Sequence, residues 1–179
     1  MFQSTVKILL IFFIPLLTSC GGVDEVVSEI TTEERGCQYA HIIKQEMTIL
    51  INEARATSRY CGNENFQEAN PVLWNEQLYQ AAYSHSQDMS SGNFFSHTGS
   101  DGSDTGKRIE ITGYIERTYG ENIAAGFTNS KNVVDGWLDS PEHCTVVMHP
   151  SFAEIGAACA ENESADYGTY WTLVLASSR

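Results

Sequence analysis

An α+β fold, with helices covering a small sheet, is what the order of elements in this chain predicts. Apolar residues recur at helical spacing through the first half and again over 132–139. Two strand candidates come last, the second rich in Tyr170, Trp171, Leu173, Val174 and Leu175, and the turn Asp166-Tyr167-Gly168 joins them. With 179 residues, 42% hydrophobic and 18% charged, the chain suits one globular core.

The start stands outside that core. After Lys7, the apolar run 8–17 ends in Leu17-Thr18-Ser19-Cys20. Ten residues are too few to cross a bilayer core of roughly 30 Å as a helix, so residues 1–19 read as a signal peptide. Leu-Thr-Ser-Cys resembles the bacterial lipobox, which implies cleavage before Cys20 and acylation of its sulfur; Gly21, rather than Asp, next to the cysteine implies the outer membrane. Residues 20–36, polar and acidic, form the acylated cysteine and its tether, and residues 37–179 form the folded domain.

Within that domain Ile43, Met47, Leu50 and Ala54 predict a helix over 38–57, with Asn52 and Arg55 on another face. Asn70-Pro71 opens a second unit, and Leu78, Ala81, Ala82, His85 and Met89 mark one face of a helix over 75–89. On that apolar face, a histidine bonded to nearby backbone is the ordinary reading of His85. Residues 99–106 match the opening of a calcium loop at Asp101, Ser103, Thr105 and Gly106. Thr112 stands where the bidentate glutamate belongs, so solvated turn chemistry is the better account. One helical turn is expected over 108–112 and a strand-like segment over 120–126. A third helix covers 132–139, and paired antiparallel strands cover 154–160 and 169–176. Pro141 ends the third helix at Ser140, leaving His143 and Cys144 at a helix end.

A formal charge of −13, with no Lys/Arg cluster, excludes nucleic acid and anionic membrane surfaces as electrostatic partners. With Cys20 acylated, Cys37, Cys61, Cys144 and Cys159 remain, an even number that reads as disulfides in an exported chain. Of three pairings, Cys37 with Cys61 and Cys144 with Cys159 is expected, since each closes a short loop. No C-x-x-C occurs, which argues against a structural zinc ribbon.

Three stretches carry site-like chemistry: Phe94-Phe95-Ser96-His97, Gly120-Glu121-Asn122-Ile123-Ala124 and Trp137-Leu138-Asp139-Ser140-Pro141-Glu142-His143-Cys144. The expectation is that His97, Glu121 and His143 converge in one cleft. With Tyr170-Trp171-Thr172, these motifs resemble the CAP superfamily, or SCP domain, of cysteine-rich secretory proteins, antigen 5 and plant pathogenesis-related proteins, in its bacterial branch. The resemblance spans roughly 37–179. It implies a three-layer α-β-α sandwich with a central antiparallel sheet and a large cleft, where two histidines and two acids can hold a divalent cation. The motifs place the histidines at His97 and His143 and the first acid at Glu121. The second acid aligns with Ser140, and Asp139 is its neighbour.

Two imidazoles and a carboxylate form a first shell suited to zinc, with open positions for water that the ion would acidify. A hydrogen-bonded polar cluster without metal is the other reading of the same residues. Neither H-E-x-x-H nor G-x-S-x-G is present. Cys144 beside His143 makes a nucleophile pair only if the thiol is free, and a disulfide is the favoured state. Three functions follow: an extracytoplasmic, membrane-anchored module binding a small-molecule, lipid or cell-wall ligand, as the resemblance implies; a metal-dependent hydrolase of envelope or extracellular substrates; or a structural surface lipoprotein.

Overall fold

The computed structural model describes Cys37 and residues 40–179. The chain divides after Glu34, and the described residues belong to the second unit, Arg35–Arg179. The expected signal peptide, the acylation expected at Cys20 and the expected tether all fall outside the described residues.

Helix α1 spans Ala40–Arg55 and buries Ile43, Met47, Ile51 and Ala54. A hairpin of β1 (Arg59–Cys61) and β2 (Glu64–Phe66) follows, then β3 (Leu73–Trp74). The Asn75 side chain accepts hydrogen bonds from the backbone N–H groups of Gln77 and Leu78, starting α2 at Glu76–Gly92. Asn93, at φ 48°, closes that helix in the left-handed region. Asp104 caps α3 (Thr105–Ile111) in the same manner as Asn75, through the N–H of Lys107. Then come β4 (Glu116–Ala125), α4 (Ser130–Asp139), α5 (Pro141–Met148), β5 (Glu154–Asn162) and β6 (Gly168–Ser178).

The main sheet runs β3-β5-β6-β4, with β4 on an edge. Its three long strands are antiparallel, and β3 adds a two-residue parallel pairing to β5. Strand alternation sorts the core into two faces. Ile155, Ala157, Trp171, Leu173 and Leu175 face α1, α4 and α5 in the larger cluster. Ala158, Val174 and Ala176 face Leu78, Ala81 and Ala82 of α2, with Ile109 of α3. Two helical layers therefore enclose one sheet, the three-layer α-β-α arrangement. Closest approach falls at Gly156, where any Cβ would overlap the α2 backbone at Leu78 and Tyr79.

One expectation needs correcting. The disulfides join Cys37 to Cys159 and Cys61 to Cys144, not Cys37 to Cys61 and Cys144 to Cys159. Sequence proximity misleads because Cys159, in β5, lies beside the start of α1, while Cys144, in α5, packs on the β1–β2 hairpin with Met148 and Phe66. Pro141 ends the preceding helix as expected and also starts the next one. Ser140, at φ −91° and ψ 119°, ends α4 and begins α5, with Pro141 in the first helical position, where its missing N–H costs nothing. Arg55, on another face of α1, is itself fully buried. It donates to the carbonyls of Asn70, Val147, His149 and Phe152 at 2.7–3.1 Å and so ties α1 to the end of α5.

Candidate ligand cleft at the edge of the sheet

Edge strand β4 brings groups from both helical layers together, because alternate residues face opposite ways. Gly120 abuts Val146 and Phe152 on one face. On that face, the Asn122 side chain donates to the His143 carbonyl at 3.0 Å, fixing the first turn of α5 against the strand. Glu121 faces the opposite side, toward α3.

There its carboxylate is held at both oxygens. His97 Nδ1 donates to Oε1 at 2.7 Å, and Arg108 Nη2 donates to Oε2 at 2.7 Å. Arg108 also donates to the carbonyls of Ser103 and His97, locking the loop that carries His97 to α3. The acid and the arginine leave only 3% and 5% of their side-chain surfaces exposed, while His97 leaves 56%. Burial on its own would raise the Glu121 pKa. The hydrogen bond from His97 and the Arg108 charge outweigh it, holding the carboxyl below its ordinary range. With Nδ1–H given to Glu121, a neutral His97 keeps its lone pair on Nε2, at the other side of an exposed ring.

His143 is half-buried in the first turn of α5. Burial lowers its pKa, and the nearby His97 lowers it further through like-charge repulsion, so the imidazole favours its neutral form. Its ring makes no hydrogen bond among the described residues. It borders an apolar hollow of about 330 Å³ whose walls include Phe95, Ile123, Phe127, Trp137 and Tyr167. Phe95 and Tyr167 are 45% and 53% exposed, and their rings meet tilted by 55° at a centroid distance of 5.9 Å. Trp137 is pinned to β4 by its Nε1–H to the Ile123 carbonyl at 3.2 Å. Ser140 lines the hollow; Asp139 is exposed and does not.

For a metal the donor set fits in part. Among the described residues no three His, Cys, Asp or Glu side chains gather to share an ion. Glu121 has both oxygens engaged, one by a guanidinium that already supplies the neutralising charge. The His97–Glu121 contact nevertheless has the form in which a carboxylate orients a ligating imidazole through its second nitrogen. Cys144 is consumed in its disulfide and offers no thiolate. His85 is fully buried, and its Nε2 lies 2.9 Å from the Ser96 carbonyl, the backbone-bonded state expected of it.

Arg108 is the functional residue that sequence reasoning missed. Its helical spacing with Thr105 and Ile109 places it on the buried face of α3, but nothing in the sequence marks Glu121 as its partner.

The sheet between helical layers, with a histidine–carboxylate pair at the sheet edge, defines an SCP-type domain. The chain belongs to the CAP, or cysteine-rich secretory protein, family, whose model matches residues 49–175. The uncharacterized Bacillus subtilis protein YkwD is 31% identical over 106 residues, which is 59% of this chain and 39% of that protein. YlbC, an uncharacterized membrane protein of the same organism, is 30% identical over 84 residues, 46% of this chain and 24% of that one. The chain thus spans well under half the length of these relatives. An extracellular SCP-domain protein from Bacillus anthracis superposes with a TM-score of 0.62 at 24% identity, over 76% of this chain and 41% of that one. An outer surface protein of Borrelia burgdorferi does so with 0.60 at 17% identity, over 78% and 92%. Both show likeness of fold. No helix among the described residues is long and apolar enough to cross a membrane.

Proposed function

We propose that this chain is an extracytoplasmic binding module, anchored to the outer membrane through Cys20, whose apolar hollow takes a lipid chain or comparable small apolar molecule. The observation that carries the reading is the hollow walled by Phe95, Phe127, Trp137 and Tyr167, with two of its aromatic rings left in water. Of the small-molecule, lipid and cell-wall ligands considered, an aromatic lining favours lipid. Export agrees with the two disulfides, and the extracellular and outer-surface descriptions of two fold neighbours support the same compartment. At the mouth, a divalent ion, zinc by preference, would be held by the imidazoles of His97 and His143, with Glu121 orienting His97. Such an ion would supply a positive charge for a ligand headgroup.

The test uses cis-parinaric acid, whose bound form is read by energy transfer from the protein's tryptophans, and zinc chloride by calorimetry. Phe95→Ser is expected to weaken parinaric acid binding about tenfold, equivalent to about 1.4 kcal/mol. His97→Ala with His143→Ala is expected to abolish zinc uptake while the fold persists. Parinaric acid affinity unchanged by Phe95→Ser would overturn the lipid reading. A hydrolase would be indicated only if the double histidine variant also lost a measured turnover.

A further inference from the structure

Helix α4 carries a glycine in its interior, Gly136, where alanine would hold the helix better. The ring of Phe127 accounts for it. A Cβ at Gly136 would lie 2.8 Å from Cζ and 3.1 Å from Cε1 of that ring, closer than carbon atoms pack. The ring therefore rests against α4 at Gly136, and both residues line the apolar hollow beside Trp137. The backbone of Phe127 is fixed. Its carbonyl accepts from Trp171 Nε1 and from Thr169 Oγ1, each at 2.8 Å, and the N–H of Gly126 donates to the Thr169 carbonyl at 3.0 Å. Only the side chain can turn, and on its inner side it packs against the main core. Its open side is the hollow.

Where that ring sits decides how much of the hollow is left. At about 330 Å³ the hollow stands at the low end of ligand cavities, which run from about 300 to 1,000 Å³, so a shift of one ring changes what fits. For stability alone alanine would serve at position 136, because the ring has open space to turn into. What alanine would take away is the hollow itself. A methyl group there drives the ring into the ligand's space, while a smaller side chain at position 127 enlarges that space. We propose that Gly136 is the specificity-determining residue of the hollow: by seating Phe127 against α4 it fixes the length of the apolar ligand that enters. The assignment rests on the lipid reading of the hollow and adds to it the residue that selects among lipids by size.

The full chain is titrated by calorimetry with sodium octanoate, dodecanoate and hexadecanoate, used as probes of length. In the unaltered protein affinity is expected to rise with each methylene that the hollow buries. Gly136→Ala should weaken hexadecanoate about tenfold and octanoate less than about twofold, at an equal or higher melting temperature. Phe127→Leu, which takes ring atoms away, should move the ratio of hexadecanoate to octanoate affinity the other way, by about threefold. A wall that only packs would lose all three probes alike. An unchanged ratio in Gly136→Ala, or a shift in the same direction in both variants, would overturn the assignment. Should the alanine variant fold poorly, a ratio that stays or falls in Phe127→Leu overturns it alone. If the unaltered protein takes neither cis-parinaric acid nor any of the three probes, the lipid reading falls and this assignment with it. Parinaric acid binding with unmoved ratios removes the role of Gly136 only.

Discussion

Removing the guanidinium from Arg108 would strand a carboxylate that keeps only 3% of its side-chain surface in water. Breaking one partner of a buried pair leaves the other charge desolvated, and such losses run to about 3–5 kcal/mol. Arg108→Met is therefore expected to lower unfolding free energy in urea by that amount. Adding Glu121→Gln should recover part of the loss, because the second change removes the stranded charge. A single-variant loss below about 1 kcal/mol, the range of solvated surface pairs, would show that water reaches Glu121 freely. His97 and Glu121 were legible in the sequence because each stands in a distinctive motif. Arg108 was not, since its partner lies on a strand thirteen positions later, and only tertiary contact reveals the pair. His85 was legible from its helical face.

Elements were read well where one face is buried and less well where a single residue serves two elements. While β5 and β6, buried on both faces, declare themselves by their apolar runs and the turn between them, helices α1, α2 and α4 declare themselves by period. Their ends shift by a few residues because caps at Asn75, Asn93 and Asn129 set them. Helix α5 is hard to read because Pro141 marks the end of α4 and, at the first helical position, starts the next helix as well. Gly156 shows why α2 sits so close to β5, since a strand glycine without a Cβ admits the helix backbone itself. Gly156→Ala should force α2 outward and cost about 1–3 kcal/mol or more, as overpacking does. Thermal melting would register the loss, and hydrogen exchange should localise it to α2 and β5. An unchanged melting temperature would mean that the helix has room to shift. The disulfides were unreadable for a related reason: each joins cysteines 122 or 83 residues apart, and nothing local marks which elements will touch.

For the whole molecule, stability should depend on pH in a pattern set by a few buried groups. His85 and His143 both titrate below their ordinary value in the folded state, chiefly because burial disfavours the imidazolium. The unfolded chain then takes up protons first as pH falls through about 6.5, and stability declines from there toward the folded values. Glu121 adds a second loss at lower pH. Its folded pKa is depressed, so its contribution is full above the unfolded value of about 4.3 and disappears as the carboxyl protonates. On the alkaline side Tyr114, buried and donating to Glu154 at 2.5 Å, has its pKa raised, and Tyr79 is raised by burial as well. Both contributions are intact below about 10 and fade as the unfolded phenols ionise. Unfolding free energy measured across pH should thus form a plateau between about 7 and 9, with a shallow fall beginning near 6.5 and a steeper one below about 4.5. His143→Gln should reduce the slope of the first fall while leaving the second in place. This follows because His143 is half-buried and its ring makes no hydrogen bond among the described residues, so its replacement removes a titration without breaking a hydrogen bond there. A profile flat from pH 7 to 5 would mean that both imidazoles protonate as readily in the folded protein as in water.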